Sequence, residues 1–128
     1  MRPLLCLLSL ALLSTSTTAL AGNKKGDTLS PSGKAVNCVQ LHQIRNTRVR
    51  DSRTIDFHMI SGKVYRNTLP YSCPGLGFEE KFMYKTSLSQ LCSVDIITVL
   101  NSGGRGLDRG ASCGLGKFQP MTKIPSKG

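Results

Sequence analysis

Two histidines and one isolated carboxylate are the residues of this sequence best suited to acid–base chemistry. His42 and His58 are its only histidines, and two imidazoles can supply the base and the acid of a small hydrolase such as a nuclease. Asp95 lies in an apolar run over residues 94–100, where an unpaired carboxylate would be costly to bury. Nothing in the spacing places the three together. We therefore predict no catalytic residue and favour a structural role for Asp95, as a carboxylate that binds backbone amides.

The cysteines are spaced for disulfides and not for a metal or for redox catalysis. Cys6 lies in the N-terminal apolar run, and the four others are never closer than 19 residues: Cys38, Cys73, Cys92 and Cys113. Structural zinc sites and thiol–disulfide oxidoreductases place cysteines in close pairs, which are missing here. Two disulfides are expected, and four cysteines allow three pairings. We favour the nested one, Cys38–Cys113 with Cys73–Cys92, because its outer bridge would close the folded part at both ends.

Four arginines form a local basic cluster over residues 45–53. The sequence has 17 Lys+Arg and 7 Asp+Glu, and such an excess attracts anionic partners without identifying them. We predict contact with an anionic polymer, with the surface of the cell envelope, or with another exported protein. The candidate anion-binding residues are Arg45, Arg48, Arg50, Arg53, Lys63 and Arg66.

The N-terminus has the pattern of a secretory signal peptide. Arg2 precedes an apolar run over residues 4–13, and small residues around Ala21 suit cleavage after that residue. The run is about half of the roughly 20 residues needed to span a bilayer, so we predict a signal over residues 1–21 and no transmembrane segment in the mature chain. Removing Arg2 leaves 16 Lys+Arg against 7 Asp+Glu, a formal charge of +9. The expected location is the periplasm or the exterior.

The remaining sequence predicts one disulfide-stabilised β domain over residues 37–120, between a flexible basic tail at 22–36 and a flexible tail at 121–128. Residues 54–60 alternate between apolar and polar side chains, which is the period of a half-buried strand. Turn residues on either side of it predict a three-stranded antiparallel meander over residues 44–68. Further strands are expected near residues 78–86, 94–100 and 116–119.

No long amphipathic helix is evident, so the predicted fold is all-β. We expect a small antiparallel barrel or sandwich of about five to six short strands, because a lone meander would leave an apolar face and two edges uncovered. Residues 101–112 are rich in glycine and are predicted to be a mobile loop. Their glycines do not have a dinucleotide-binding or Walker spacing. No cofactor is predicted.

Several short motifs occur together in this sequence. Cys38 leads into a basic hairpin that ends in Lys-Val-Tyr-Arg-Asn-Thr-Leu at residues 63–69, and Leu-Cys-Ser-Val-Asp-Ile begins at Leu91. Cys-Gly-Leu-Gly-Lys-Phe follows at Cys113. This set, over residues 38–120, resembles a family of small exported Gram-negative bacterial proteins with a cysteine-containing domain of unknown function. The resemblance implies an envelope or secreted location and carries over no catalytic residue.

Three functions are compatible with these features. The first is a non-enzymatic envelope module, with a binding or structural role, that contacts an anionic partner through the arginine hairpin. The second is a small secreted hydrolase, such as a nuclease, that uses His58 or Asp95. The third is an inhibitor or accessory subunit of another exported protein, with Leu76 and the glycine-rich loop as its contact surface. The sequence favours the first.

Overall fold

A computed structural model of the chain describes residues 27–104 and 106–125. The predicted signal at residues 1–21 lies outside these residues. The described residues form ten strands, one short α-helix and one 3₁₀ turn. In chain order the elements are β1 (Leu29–Pro31), β2 (Cys38–Gln40), the 3₁₀ turn (Leu41–Gln43), β3 (Ile44–Asp51), β4 (Thr54–Met59), β5 (Val64–Thr68), α1 (Leu76–Glu79), β6 (Phe82–Tyr84), β7 (Gln90–Cys92), β8 (Ile96–Ser102), β9 (Leu107–Gly114) and β10 (Phe118–Lys123).

The largest sheet has five antiparallel strands in the order β1-β10-β5-β4-β3. It contains the predicted meander: β3 pairs with β4 and β4 with β5, with Phe57 opposite both Thr47 and Tyr65. The alternation over residues 54–59 places apolar and polar side chains on opposite sides of the sheet, as predicted. Ile55 and Phe57 are fully buried in the core, and Asp56 and His58 point to the other side of the sheet, which we call the outer face.

A two-stranded sheet, β2-β7, and a three-stranded sheet, β6-β8-β9, complete the fold. The apolar side chains of all three sheets form one core. Phe57 is at its centre, with ring centroids 5.3 Å from Phe118 and 6.4 Å from Phe82 in edge-to-face arrangements. The all-β prediction is confirmed, and of the two architectures expected the open sandwich is the one formed. The fold has more strands than expected because short segments around the core also pair.

Both disulfides form, but the favoured nested pairing is wrong. The bonds are Cys38–Cys92 and Cys73–Cys113. Cys38 and Cys92 lie directly opposite each other in the β2-β7 pair, with Cα atoms 4.0 Å apart. The two ends of the folded part are held together by backbone pairing of β1 with β10 instead. Two disulfides indicate an oxidising environment outside the cytoplasm.

Three segments that were predicted to be flexible tails or a mobile loop contain residues of β-strands. Within the predicted tail at residues 22–36, β1 pairs with β10, and Val36 forms a bridge to Phe118. The predicted tail at 121–128 begins inside β10, which extends to Lys123. The glycine-rich segment 101–112 contains most of β9, which pairs with β8. In each case backbone pairing with another strand orders the segment: β1 and β10 are far apart in the sequence, whereas β8 and β9 are consecutive strands.

Asn67 joins two motifs that are far apart in the sequence. Its buried side-chain amide donates to the carbonyl oxygen of Gly116 at 2.7 Å and accepts from the amide of Gly116 at 2.8 Å. A Cβ atom at Gly116 would collide with the carbonyl oxygen of Thr68. Only glycine allows this close approach of the segment before β10 to β5.

Candidate functional site

The outer face of the five-stranded sheet brings the hairpin arginines together around one carboxylate. Arg48 on β3 and Arg66 on β5 both lie directly opposite Asp56 on β4. Arg50 is two residues beyond Arg48 and therefore on the same face. Three arginines therefore lie on the two strands that flank Asp56.

Asp56 is fully buried and bound by two of these arginines. Arg66 donates from Nε to Asp56 Oδ1 at 2.8 Å and from Nη2 to Oδ2 at 3.0 Å. Arg50 donates from Nε to Oδ2 at 2.8 Å. Burial by itself raises the pKa of Asp56, but the hydrogen bonds from Arg66 and Arg50 outweigh burial and hold this pKa below the usual 3.8.

Asp27 completes the cluster from the segment before β1. Arg66 donates from Nη1 to Asp27 Oδ2 at 2.7 Å and from Nη2 to Oδ1 at 3.1 Å, and Arg50 Nη2 lies 3.7 Å from Oδ1. The hydrogen bonds from Arg66 lower the pKa of Asp27 and outweigh its partial burial. The two carboxylates raise the pKa of Arg66 in turn, chiefly through the hydrogen bonds that Arg66 donates to Asp56 and Asp27. We call Asp27, Arg50, Asp56 and Arg66 the carboxylate–arginine cluster.

Arg53 has a different role, in holding the loop that follows β5. Its Nε donates to the carbonyl oxygen of Leu69 at 2.6 Å, and its Nη2 donates to that of Pro70 at 3.2 Å. Carbonyl oxygens do not neutralise a guanidinium, so Arg53 keeps its charge in a defined position. Its contribution to an external site is restricted by these two bonds.

The six predicted anion-binding residues therefore divide into three groups. Arg50 and Arg66 are neutralised by internal carboxylates, and Arg53 binds backbone. Arg45, Arg48 and Lys63 are exposed, and within residues 27–104 and 106–125 no ion pair engages them. We call these three residues the exposed cationic set. Two of them lie on β3, which is an edge strand of its sheet.

The residues considered for acid–base chemistry occupy different parts of the fold. His42 is exposed in the 3₁₀ turn, and His58 lies on β4 opposite Asn46 and Val64. Asp95 Oδ2 accepts a hydrogen bond from the amide of Cys92 at 2.7 Å, in the turn between β7 and β8. The described residues contain no cluster of His, Cys, Asp or Glu that could hold a metal ion.

Two aromatic side chains are unusually exposed beside the β3–β4 turn. Tyr71 is 81% and Phe78 is 88% exposed. Tyr71 lies in the loop after β5 and Phe78 in α1, and the segment that contains both is held by the Cys73–Cys113 bond, by Arg53 and by a hydrogen bond from the backbone amide of Cys73 to the carbonyl oxygen of Ser52. Leu76, which we predicted as a contact residue, is instead fully buried, since α1 turns it inward. We call Tyr71 and Phe78 the aromatic pair.

Sequence reasoning missed the role of the acidic residues in this site. Asp56 lies opposite Arg48 and Arg66 once the meander is aligned, so the predicted hairpin contained the signal that would have found it. Asp27 is 29 residues before Asp56 and 39 before Arg66, in a stretch with no strand pattern, and no local signal identifies it. The distinction between paired and exposed arginines depends on both.

The fold and this face define a small disulfide-linked antiparallel β domain with a cationic surface. Among the described residues, no helix is long and apolar enough to cross a membrane. Comparison with known proteins finds no family model, no curated protein and no solved structure that matches the chain.

Proposed function

We propose that this chain is an exported, non-enzymatic binding domain of the Gram-negative envelope that contacts an anionic polymer along β3. The observation that carries the proposal is the exposed cationic set. Arg45 and Arg48 on β3 and Lys63 before β5 are all accessible, and Asp56, the carboxylate directly opposite Arg48, is buried and already bound by two other arginines. Cations without a nearby competing anion favour an external one.

Export is supported by independent features of the chain. Its first 21 residues have the charge, apolar run and small residues of a secretory signal. The two disulfides require an oxidising compartment to persist. The resemblance to exported Gram-negative proteins favours a location in the Gram-negative envelope.

Binding to an anionic polymer is expected to weaken steeply with salt and to depend on β3. We expect the oxidised protein to bind single-stranded poly(dT) and dextran sulfate, which share only a charged backbone. Arg45→Gln with Arg48→Gln removes two contacts, so the slope of log affinity against log salt for poly(dT) should become shallower by about 1.4. Fluorescence anisotropy at several salt concentrations measures this slope.

The matched control is Lys81→Gln with Lys85→Gln, which removes the same charge from the exposed residues that flank β6, a strand of a different sheet. It should leave the slope nearly unchanged. Absent or salt-insensitive binding by the wild-type chain would contradict the proposal. An equal loss in both double variants would show that net charge alone causes the binding.

A second candidate function, as an inhibitor or accessory subunit of another exported protein, is favoured by the aromatic pair. Exposed aromatic side chains on a segment held by a disulfide and by hydrogen bonds are typical anchors of protein interfaces. We expect a protein partner captured from envelope extract to be lost with Tyr71→Ser and Phe78→Ser and kept with Arg45→Gln and Arg48→Gln. Loss with the arginine variant alone would exclude this surface.

A further inference from the structure

A shallow groove lies at one edge of the outer face, between the β4–β5 turn and the β1-β10 pair. Its volume is about 370 Å³, at the lower end of the range for small-molecule sites. Leu29, Val64 and Met121 provide apolar lining, and Lys63 and Lys123 provide charge. The groove is distinct from the carboxylate–arginine cluster, whose members do not line it.

Strand register explains why apolar side chains occur on this polar face. Val64 lies directly opposite Met121, and Met121 opposite Pro31. They therefore point away from Phe57 and Phe118, which occupy the other side of the same sheet. Leu29 and Met121 are each 7% exposed yet stand outside the main core cluster. This side of the sheet has its own small apolar surface.

The charged side chains that line the groove are both positive. Lys63 and Lys123 are exposed, neither has an ion-pair partner in the part of the chain that the structure describes, and no carboxylate lines the groove. Asp27, two residues before Leu29, is bound by Arg66. The chain's own residues 22–26 contain two lysines and no apolar side chain, so their chemistry does not match this lining.

We propose that this groove binds an anionic amphiphile, with an alkyl chain against Leu29, Val64 and Met121 and a phosphate or carboxylate head at Lys63 and Lys123. Apolar lining beside unpaired cations complements a ligand that is itself apolar at one end and anionic at the other. A neutral lipid would leave the lysines unused, and an inorganic anion would leave the apolar lining unused. Such ligands occur free and as lipids in a membrane surface.

Titration of the oxidised protein with monododecyl phosphate, below its micelle concentration, tests the site by calorimetry. Inorganic phosphate and uncharged dodecyl maltoside should each bind at least about tenfold more weakly, because each lacks one half of the match. Lys63→Gln with Lys123→Gln should weaken dodecyl phosphate about tenfold. Val64→Thr, which keeps a β-branched strand residue, should weaken it about threefold. Lys81→Gln with Lys85→Gln should change nothing.

Two results would overturn the groove as a site. One is inorganic phosphate or dodecyl maltoside binding as tightly as dodecyl phosphate. The other is an equal loss in both lysine variants. Phosphatidylglycerol vesicles form a second arm: if only vesicles bind, the protein recognises a charged surface and not a single ligand. The polymer experiment uses Arg45 and Arg48, which do not line the groove, so either proposal can fail alone.

Discussion

Asp56→Asn is expected to lower the free energy of unfolding by about 3 kcal/mol, because breaking a buried ion pair costs roughly 3–5 kcal/mol and the two arginines here are slightly exposed. The substitution keeps the shape of the side chain and removes its charge. Arg50 would then have only the 3.7 Å contact to Asp27 as an ion pair, and Arg66 would lose both bonds to an anionic oxygen of Asp56.

Chemical denaturation followed by circular dichroism measures this loss. Asp108→Asn is the matched control, since Asp108 is an exposed carboxylate with no ion pair among the described residues, and its change should stay within about 0.5 kcal/mol. Asp27→Asn gives a graded case. It should lose about 1 kcal/mol, because Asp27 is at the rim of the cluster and its pairs are partly solvated. Equal effects at Asp56 and Asp108 would contradict the role of the cluster.

The effect of Asp56→Asn should also depend on pH in one direction. The pKa of Asp56 is lowered in the folded protein. At pH values around the folded and unfolded pKa values of this carboxyl, the folded state therefore binds fewer protons than the unfolded chain. The stabilisation from Asp56 is therefore fully present above about pH 4, the ordinary pKa of the unfolded carboxyl, and is lost as the pH falls through the lower folded value. The stability difference between wild type and variant should shrink below about pH 4. A difference independent of pH would show that charge is not its cause.

Removing either disulfide is expected to cost about 4 kcal/mol. The bonds close loops with sequence separations of 54 and 40 residues, and loops of these lengths restrict the unfolded chain by similar amounts. Such a loss is a large share of the roughly 5–15 kcal/mol that stabilises a domain. Cys73 is fully buried, so Cys73→Ala with Cys113→Ala should have the larger effect of the two pair deletions, because it also leaves space in the core.

The comparison is between the two paired deletions, Cys38→Ala with Cys92→Ala and Cys73→Ala with Cys113→Ala, each measured by denaturation under oxidising conditions. Peptide mapping of the wild-type protein without reduction provides the companion measurement. It should recover peptides linked through Cys38–Cys92 and Cys73–Cys113. Recovery of Cys38 linked to Cys113, or of Cys73 linked to Cys92, would contradict the structure and restore the nested arrangement.

The carboxylate–arginine cluster affects the proposed function as well as stability. It removes Arg50 and Arg66 from the predicted binding surface, and the bonds from Arg66 to Asp27 hold the segment before β1 against the outer face. Arg45 and Arg48 lie on β3 at one edge of the sheet, and the groove involves β10 and β1 toward the other edge. Asp56→Asn is therefore expected to disturb both binding activities indirectly, which is why neither binding experiment uses it.

The sequence by itself determined the features that depend on neighbouring residues. Alternation over residues 54–60, with turn residues on either side, was enough to predict the meander of β3, β4 and β5, because a strand with one buried face must repeat every two residues. The even number of widely spaced cysteines was enough to predict two disulfides, and the absence of a long amphipathic pattern was enough to predict an all-β fold.

Only the tertiary structure decided the features that depend on contacts between distant segments. Cys38 lies opposite Cys92 because β2 pairs with β7. Each of these strands has only three residues, which is too short for a period of two residues to be recognised in the sequence. The sorting of the arginines required Asp27 to reach Arg66 across 39 residues. β1 pairs with β10, which is far from it in the sequence, and because backbone groups are the same in every residue the side chains of β1 do not identify this partner.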